Sequence, residues 1–296
     1  MSNKAEIKDV YQKVTDQIIA AIERGADDFE MPWNQASGMP KNAATGKHYR
    51  GVNVVTLWAE SARNGYKTST WATYAQWTEL GAQVRKGEKS AFIVFWKFFG
   101  KETEDNSGAE GTESTLSGGA MARGYHVFNA DQVDGYVLPE PVLAPVLERN
   151  AAADRFFGEQ KADVRFLGGR AFYNRAGDFI QVPLFDQFKD EPSYYSTLGH
   201  EFVHWTSKEN RANRNMGKRF GDMAYAAEEL IAELGAAFLC ADLGLSSEPR
   251  ADHASYLQNW LQVLRNDKRA IFTAASKAQA AVDWMHENVA PKAIAA

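Results

Sequence analysis

SYYSTLGHEFVHWTSK, residues 193–208, follows Pro192 and keeps helical spacing, so it reads as a helix whose first turn accepts the proline. On that helix His200 and His204 stand at i and i+4, about one turn apart on one face, where two imidazoles can reach a single ion. Glu201 is rotated away just far enough to address water beside that ion as a general base. Two ligands, one base and an open coordination position are what metal-assisted hydrolysis asks of one helix. The plainer alternative is a pair of surface histidines on a helix.

A catalytic ion of this kind needs a third protein ligand. Downstream, YAAEELIAELGAAFLCADLG, residues 225–244, is strongly helical and holds Glu228, Glu229 and Glu233. A helical wheel puts Leu230, Ile231, Leu234 and Phe238 on one face, and Glu229, Ala232, Glu233, Ala236 and Cys240 on another. The second face is small residues plus two acids, so it can lie close against the HEFVH helix and present Glu229 to the ion. On the same wheel Glu228 projects away, toward Gly235 and Asp242. For each acid the alternative is a solvated helix surface.

The pattern resembles the gluzincin kind of zinc peptidase, in which HExxH is followed on a later helix by a ligand Glu and, four residues on, by an acid that hydrogen-bonds a ligand histidine. The resemblance implies Glu229 as third metal ligand and Glu233 as the acid behind a histidine, with the departure that Glu233 stands where Asp is usual. It implies Zn2+ as cofactor, and a His, His, Glu set also accepts Mn2+ or Co2+. Peptide-bond hydrolysis is the expected reaction, with Glu201 as the catalytic base. RAFYNRAGDFIQVPLF, residues 170–185, alternates as an edge strand that can hold an extended peptide by backbone pairing. Tyr194, Tyr195, Tyr225 and His253 are unranked candidates to stabilise the oxyanion.

Outside this region, composition narrows the partners. The chain has 296 residues and one cysteine, Cys240, which rules out an intramolecular disulfide and a Cys-rich zinc finger. No run approaches the roughly 20 apolar residues of a membrane span, and MSNKAEIKDVYQKV lacks the apolar run of a signal peptide, so no membrane partner and a cytoplasmic location are expected. The net charge of -5 hides an asymmetry: residues 31–100 hold nine Lys/Arg against three acids, whereas residues 101–296 hold 20 against 28. A basic segment carrying Trp33, Trp58, Trp71, Trp77 and Trp96 suits a polyanion, although most tryptophans in a small domain are core.

Residues 5–24 read as an amphipathic helix stopped by Gly25; residues 52–65 and 70–81 read as two more, and residues 90–100 as a strand. Residues 101–123, acidic and rich in Gly, Ser and Thr, read as a mobile insertion in a long hairpin whose second strand is GYHVFNADQVDGY. A domain boundary is expected in LPEPVLAPV, which gives 1–140 and 141–296. Strands follow at 163–168, 170–175 and 178–184, then helices to the end.

The N-terminal order of motifs is PW at 32–33, MPKNAATGKHYRGVN at 39–53, GY at 65–66, TYAQW at 73–77, LGAQVRKGEKS at 80–90 and YHVFNADQV at 125–133. It resembles the N-terminal domain of the ArdC antirestriction family, a domain similar to one in TraC-type plasmid primases. The resemblance implies a domain that binds single-stranded DNA, followed by a zincin-like metallopeptidase domain, hence an α+β chain of two domains. It also implies an antirestriction protein of conjugative plasmids that protects incoming DNA from host restriction, a component of which is a candidate protein substrate. The turn-rich ATGKHYRG offers phosphates Lys47, His48 and Arg50, with Tyr49 between them and Lys41 just before, and VRKGEK offers Arg85, Lys86 and Lys89. The alternative for the second cluster is a solvated turn. A different reading of the whole is a DNA-binding shield whose peptidase-like domain keeps its metal without cleaving.

Overall fold

The periodic apolar positions near the start of the chain form α1, Val10–Gly25, which buries Val14, Ile18 and Ile22 along one stripe. The computed structural model describes residues 10–25, 38–98, 112–116, 120–138, 146–214, 223–245 and 253–289. After β1, Lys41–Asn42, comes α2, Val52–Asn64, which ends at Gly65 in the left-handed conformation that a glycine adopts without strain.

Residues 70–81 do not make one helix as expected. Thr70–Ala72 is a strand, β2, and the helix α3 covers only Tyr74–Glu79. Thr73 starts that helix: its hydroxyl accepts from the Gln76 amide while the Gln76 side chain accepts from the Thr73 amide. The three residues before this cap are drawn into a sheet, where β2 pairs with β1 on one side and β6 on the other.

The hairpin expected across the acidic tract is present. β4, Ala91–Phe98, runs antiparallel to β6, Ala120–Asn129, with Ala91 opposite Val127 and Phe98 opposite Ala120. Within the tract expected to be mobile, Thr112–Leu116 is instead a strand, β5, paired with β6, and residues 120–123 already belong to β6. Backbone pairing tolerates such a polar sequence because β6 offers a ladder of unpaired groups. Residues 101–111 and 117–119 lie outside the described residues. The sheet order is β1-β2-β6-β4, with β5 also alongside β6, and Gln83–Val84 (β3) pairs separately with Val133–Asp134 (β7).

The expected boundary at residue 140 falls at 139–145, outside the described residues. Beyond it lie α4, Val146–Glu159, and a small mixed sheet in which β10, Phe179–Val182, runs between β8, Asp163–Phe166, and β9, Phe172–Asn174. α5, Glu191–Trp205, packs on that sheet, with Asp190 capping it through the Ser193 amide. α6, Met223–Asp242, is buried along nearly its whole length between α5 and the last two helices, α7, His253–Asn266, and α8, Ala270–Asn288. Of the edge strand expected over residues 170–185, β9 is an outer strand whereas β10 lies in the centre of the sheet, paired on both sides.

One apolar interior runs through both halves of the chain. Trp58 on α2 meets Phe238 on α6 with ring centroids 5.7 Å apart, and Tyr11 on α1 meets Phe272 on α8 at 4.7 Å. Polar ties follow the same seam: the Thr15 hydroxyl donates to the Lys268 carbonyl at 2.8 Å, and Arg50 pairs with Asp283. Among the described residues no helix is long and apolar enough to cross a membrane.

Candidate metal centre and nucleic-acid surface

α5 and α6 approach closely because their facing residues are small. A Cβ on Gly235 would lie 2.7 Å from a methyl of Val203, and one on Gly199 would lie 3.7 Å from the Ala236 Cα. At this crossing His200, His204 and Glu229 bring their ligating atoms within 4.8 Å of one another. The Glu229 carboxylate reaches His200 Nε2 at 3.4 Å through one oxygen and His204 Nε2 at 3.5 Å through the other. These contacts are long for N–H···O hydrogen bonds, which cluster at about 2.7–3.2 Å. Each is close to the separation of about 3.3–3.4 Å expected between two donors about 2.0–2.1 Å from one ion, so the donor set suits a divalent ion.

A carboxylate stands behind each imidazole. Glu233 lies 3.5 Å from His200 Nδ1, as the spacing from Glu229 implies. Glu228 lies 3.5 Å from His204 Nδ1, which corrects the wheel that turned it away. The wheel centred the contact face on Ala232 and Ala236, but the helices cross with Gly235 against Val203, and Glu228, two turns before Gly235, swings in with it. Gly235, the one residue on α6 without a side chain, was the signal that could have shown this. Glu228 is in turn held by the buried Arg214, whose Nη2 donates to it at 2.8 Å and to the Val203 carbonyl at 2.6 Å.

The centre is deeply buried, with His200 and Glu201 3% exposed and His204 and Glu229 5%. Burial alone would lower the His204 pKa, but the carboxylates of Glu229 and Glu228 beside the ring outweigh it and raise the value above the ordinary imidazole range. Burial likewise opposes ionisation of Glu229, and the two histidines overcome it, holding this carboxyl well below the usual carboxylate range. Three carboxylates around two imidazoles leave a surplus of negative charge. A cation relieves it, in competition with protons for the same nitrogens.

Of the oxyanion candidates, Tyr195 is committed elsewhere, its hydroxyl donating to Asp154 at 2.6 Å. Tyr194 is buried among Phe185, Phe188 and Tyr195. Tyr225 sits one turn before Glu229 on the same face of α6 and is half-buried. His253 begins α7, and its side chain lies outside the described residues.

In the N-terminal half, Lys47, His48, Tyr49 and Arg50 line one cavity of about 360 Å³ together with Phe95. Lys47, His48 and Arg50 are exposed, whereas Tyr49 is buried, its hydroxyl accepting from Asn42 at 3.1 Å, and burial pushes its pKa up to about 12. Lys41 is half-buried in β1 and is not part of that wall. Arg85 and Lys86 border a different depression. There Arg85 is engaged by Glu88 at 3.1 Å, by Asp134 at 3.4 Å and by the Asp131 carbonyl. Lys86 and Lys89 are exposed. Trp58, Trp71 and Trp77 are core. Tyr74, 50% exposed beside Lys86, is an aromatic ring in reach of a base.

Residues 151–277 match a zincin-like metallopeptidase family, and residues 8–128 match the N-terminal domain of anti-restriction factor ArdC. The class defined by fold and site is thus a zincin-like metallopeptidase fold joined to an anti-restriction N-terminal domain. The metal-free crystal structure of the antirestriction ArdC protein from plasmid R388 is 42% identical with a TM-score of 0.75, covering 95% of this chain and 98% of that one. Its Mn(II)-bound structure is 41% identical with a TM-score of 0.75, covering 96% and 99%. The chain belongs to the ArdC antirestriction family. It is also 47% identical to the uncharacterized protein y4eC of Sinorhizobium fredii over 94% of this chain and 92% of that protein. Two DNA primases TraC of Escherichia coli are 30% and 32% identical over 94% and 95% of this chain, which spans 20% and 27% of their lengths.

Proposed function

We propose that this chain is a cytoplasmic antirestriction protein of conjugative plasmids that binds single-stranded DNA with its N-terminal half and hydrolyses peptide bonds at the α5–α6 crossing, protecting incoming DNA from host restriction. The observation that carries the reading is the convergence of His200, His204 and Glu229, with ligating atoms within 4.8 Å of one another, beside Glu201. We assign the ligand roles to those three residues and Zn2+ to the site, where Mn2+, named in the R388 relative's structure, and Co2+ also fit.

A divalent ion there supplies Lewis-acid polarisation of a carbonyl and of water. Glu233 and Glu228, each 3.5 Å from an imidazole Nδ1, stand where a carboxylate orients the ring and turns its Nε2 toward Glu229. Glu201 takes the proton of the attacking water on its carboxylate and returns it to the leaving amine. The β9 edge offers backbone groups to an extended peptide, and Tyr225, one turn before Glu229, remains a candidate donor to the developing oxyanion. The homology to TraC primases and the cavity holding Lys47, His48 and Arg50 support the DNA assignment. Lys86 and Lys89, with Arg85 partly neutralised, form a second surface for phosphates.

The near-complete burial of Glu201 and the three ligands favours a second reading, a DNA-binding shield that keeps its metal without cleaving. The test is metal content and cleavage of a peptide library by the native chain and by Glu201→Gln, with and without single-stranded DNA. Hydrolysis by the native chain alone, with equal metal in both, supports the protease. Bound metal without cleavage in any condition supports the shield, as does undiminished protection from restriction in Glu201→Gln.

A further inference from the structure

α8 turns a polar face outward. Arg269 at its start, then Thr273, Ser276, Lys277 and Ala280, follow at helical spacing, and all are exposed. They line an open groove of about 780 Å³ whose opposite wall is Tyr11 and the start of α2. Two cations, two hydroxyls and one small side chain on a single face are unexpected in residues 101–296, where 28 acids outnumber 20 Lys/Arg. The acid lining the groove, Asp283, is occupied by Arg50. The Arg269 guanidinium lies over the Tyr11 ring, 4.9 Å from its centroid, and Tyr11 packs edge-on to Phe272, so the groove also offers aromatic and guanidinium faces.

This groove adjoins the N-terminal cavity, for Arg50, Asn53 and Val94 line both. Their shared wall is rigid: the Asn53 side chain donates to the Val94 carbonyl at 2.7 Å and accepts from the Val94 amide at 2.9 Å, standing in for a neighbouring strand.

We propose that one single strand of DNA occupies both cavities, so that α8 of the peptidase-like half is part of the DNA-binding surface, with Arg269 and Lys277 contacting phosphates. The proposal rests on the single-strand reading of the N-terminal half. Hydroxyls and cations at helical spacing suit a backbone, and the aromatic and guanidinium faces suit unpaired bases, which a duplex keeps stacked inside.

The experiment measures binding of the full chain to fluorescent oligothymidylates from about 4 to about 20 nucleotides across a salt series, for the native chain and Arg269→Ala/Lys277→Ala. Native affinity is expected to rise with length. The double variant is expected to lose several-fold on the long strands and to have a salt slope shallower by about 1.4, at about 0.7 for each phosphate contact removed. An unchanged long-strand affinity and slope, in a variant with native melting temperature, would overturn the proposal while leaving the N-terminal reading standing. No binding of any oligonucleotide by the native chain would overturn both.

Discussion

Glu228 is held between His204 and Arg214, and its charge serves both. In Glu228→Gln the amide oxygen still accepts from Arg214, but the charge behind the imidazole is gone. Loss of such a partner costs about 10- to 100-fold in metal affinity, and calorimetric titration of the chelated protein with Zn2+ is expected to show a loss in that range. An unchanged dissociation constant would reduce Glu228 to a counter-ion for Arg214. The difference between this residue and Glu229 marks where sequence reading stopped. His200 and His204 were legible because their spacing acts within one helix. The azimuth of Glu228 depends on which α6 residue meets Val203, a contact between helices that periodicity does not encode. Arg85 shows the same limit in charge: its neighbours Asp131 and Asp134 are more than forty residues away in sequence.

At the scale of elements, the α5–α6 spacing sets the ion cage. In Gly235→Ala the helix itself gains about 1 kcal/mol, because alanine is the better helix former. The new methyl, however, meets Val203 at 2.7 Å, and overpacking of this kind costs about 1–3 kcal/mol and displaces backbone. Strain is expected to win, with lower metal affinity and a lower melting temperature. Val203→Ala in the same chain should restore both by opening the space, and failure of that rescue would place the cause elsewhere. The helices themselves were readable from apolar periodicity and caps. The strand at Thr70–Ala72 was not, since three residues carry too short a pattern and their place is fixed by β1 and β6 on either side.

For the whole molecule, the shared interior predicts one thermal transition. α1 and α2 bury Ile18 and Trp58 in a core completed by α6, α7 and α8, so neither half loses its partner without exposing apolar surface. Scanning calorimetry should show a single peak, shifted down as a whole by chelation, because the proposed ligand Glu229 sits on the helix at the centre of that core. Two resolved peaks, only one of them sensitive to chelator, would contradict this.

The contact of Trp58 with Phe238 carries a mechanical consequence. Two modules joined by a leash search a volume and meet each other at random, whereas the described residues of these two share one packed interior. A strand bound in the groove, as proposed above, would therefore keep one distance and bearing from the α5–α6 crossing. Any protein engaged on that strand would present the same limited part of its surface to Glu201, so selectivity could come from position on the nucleic acid as much as from the residues around a scissile bond.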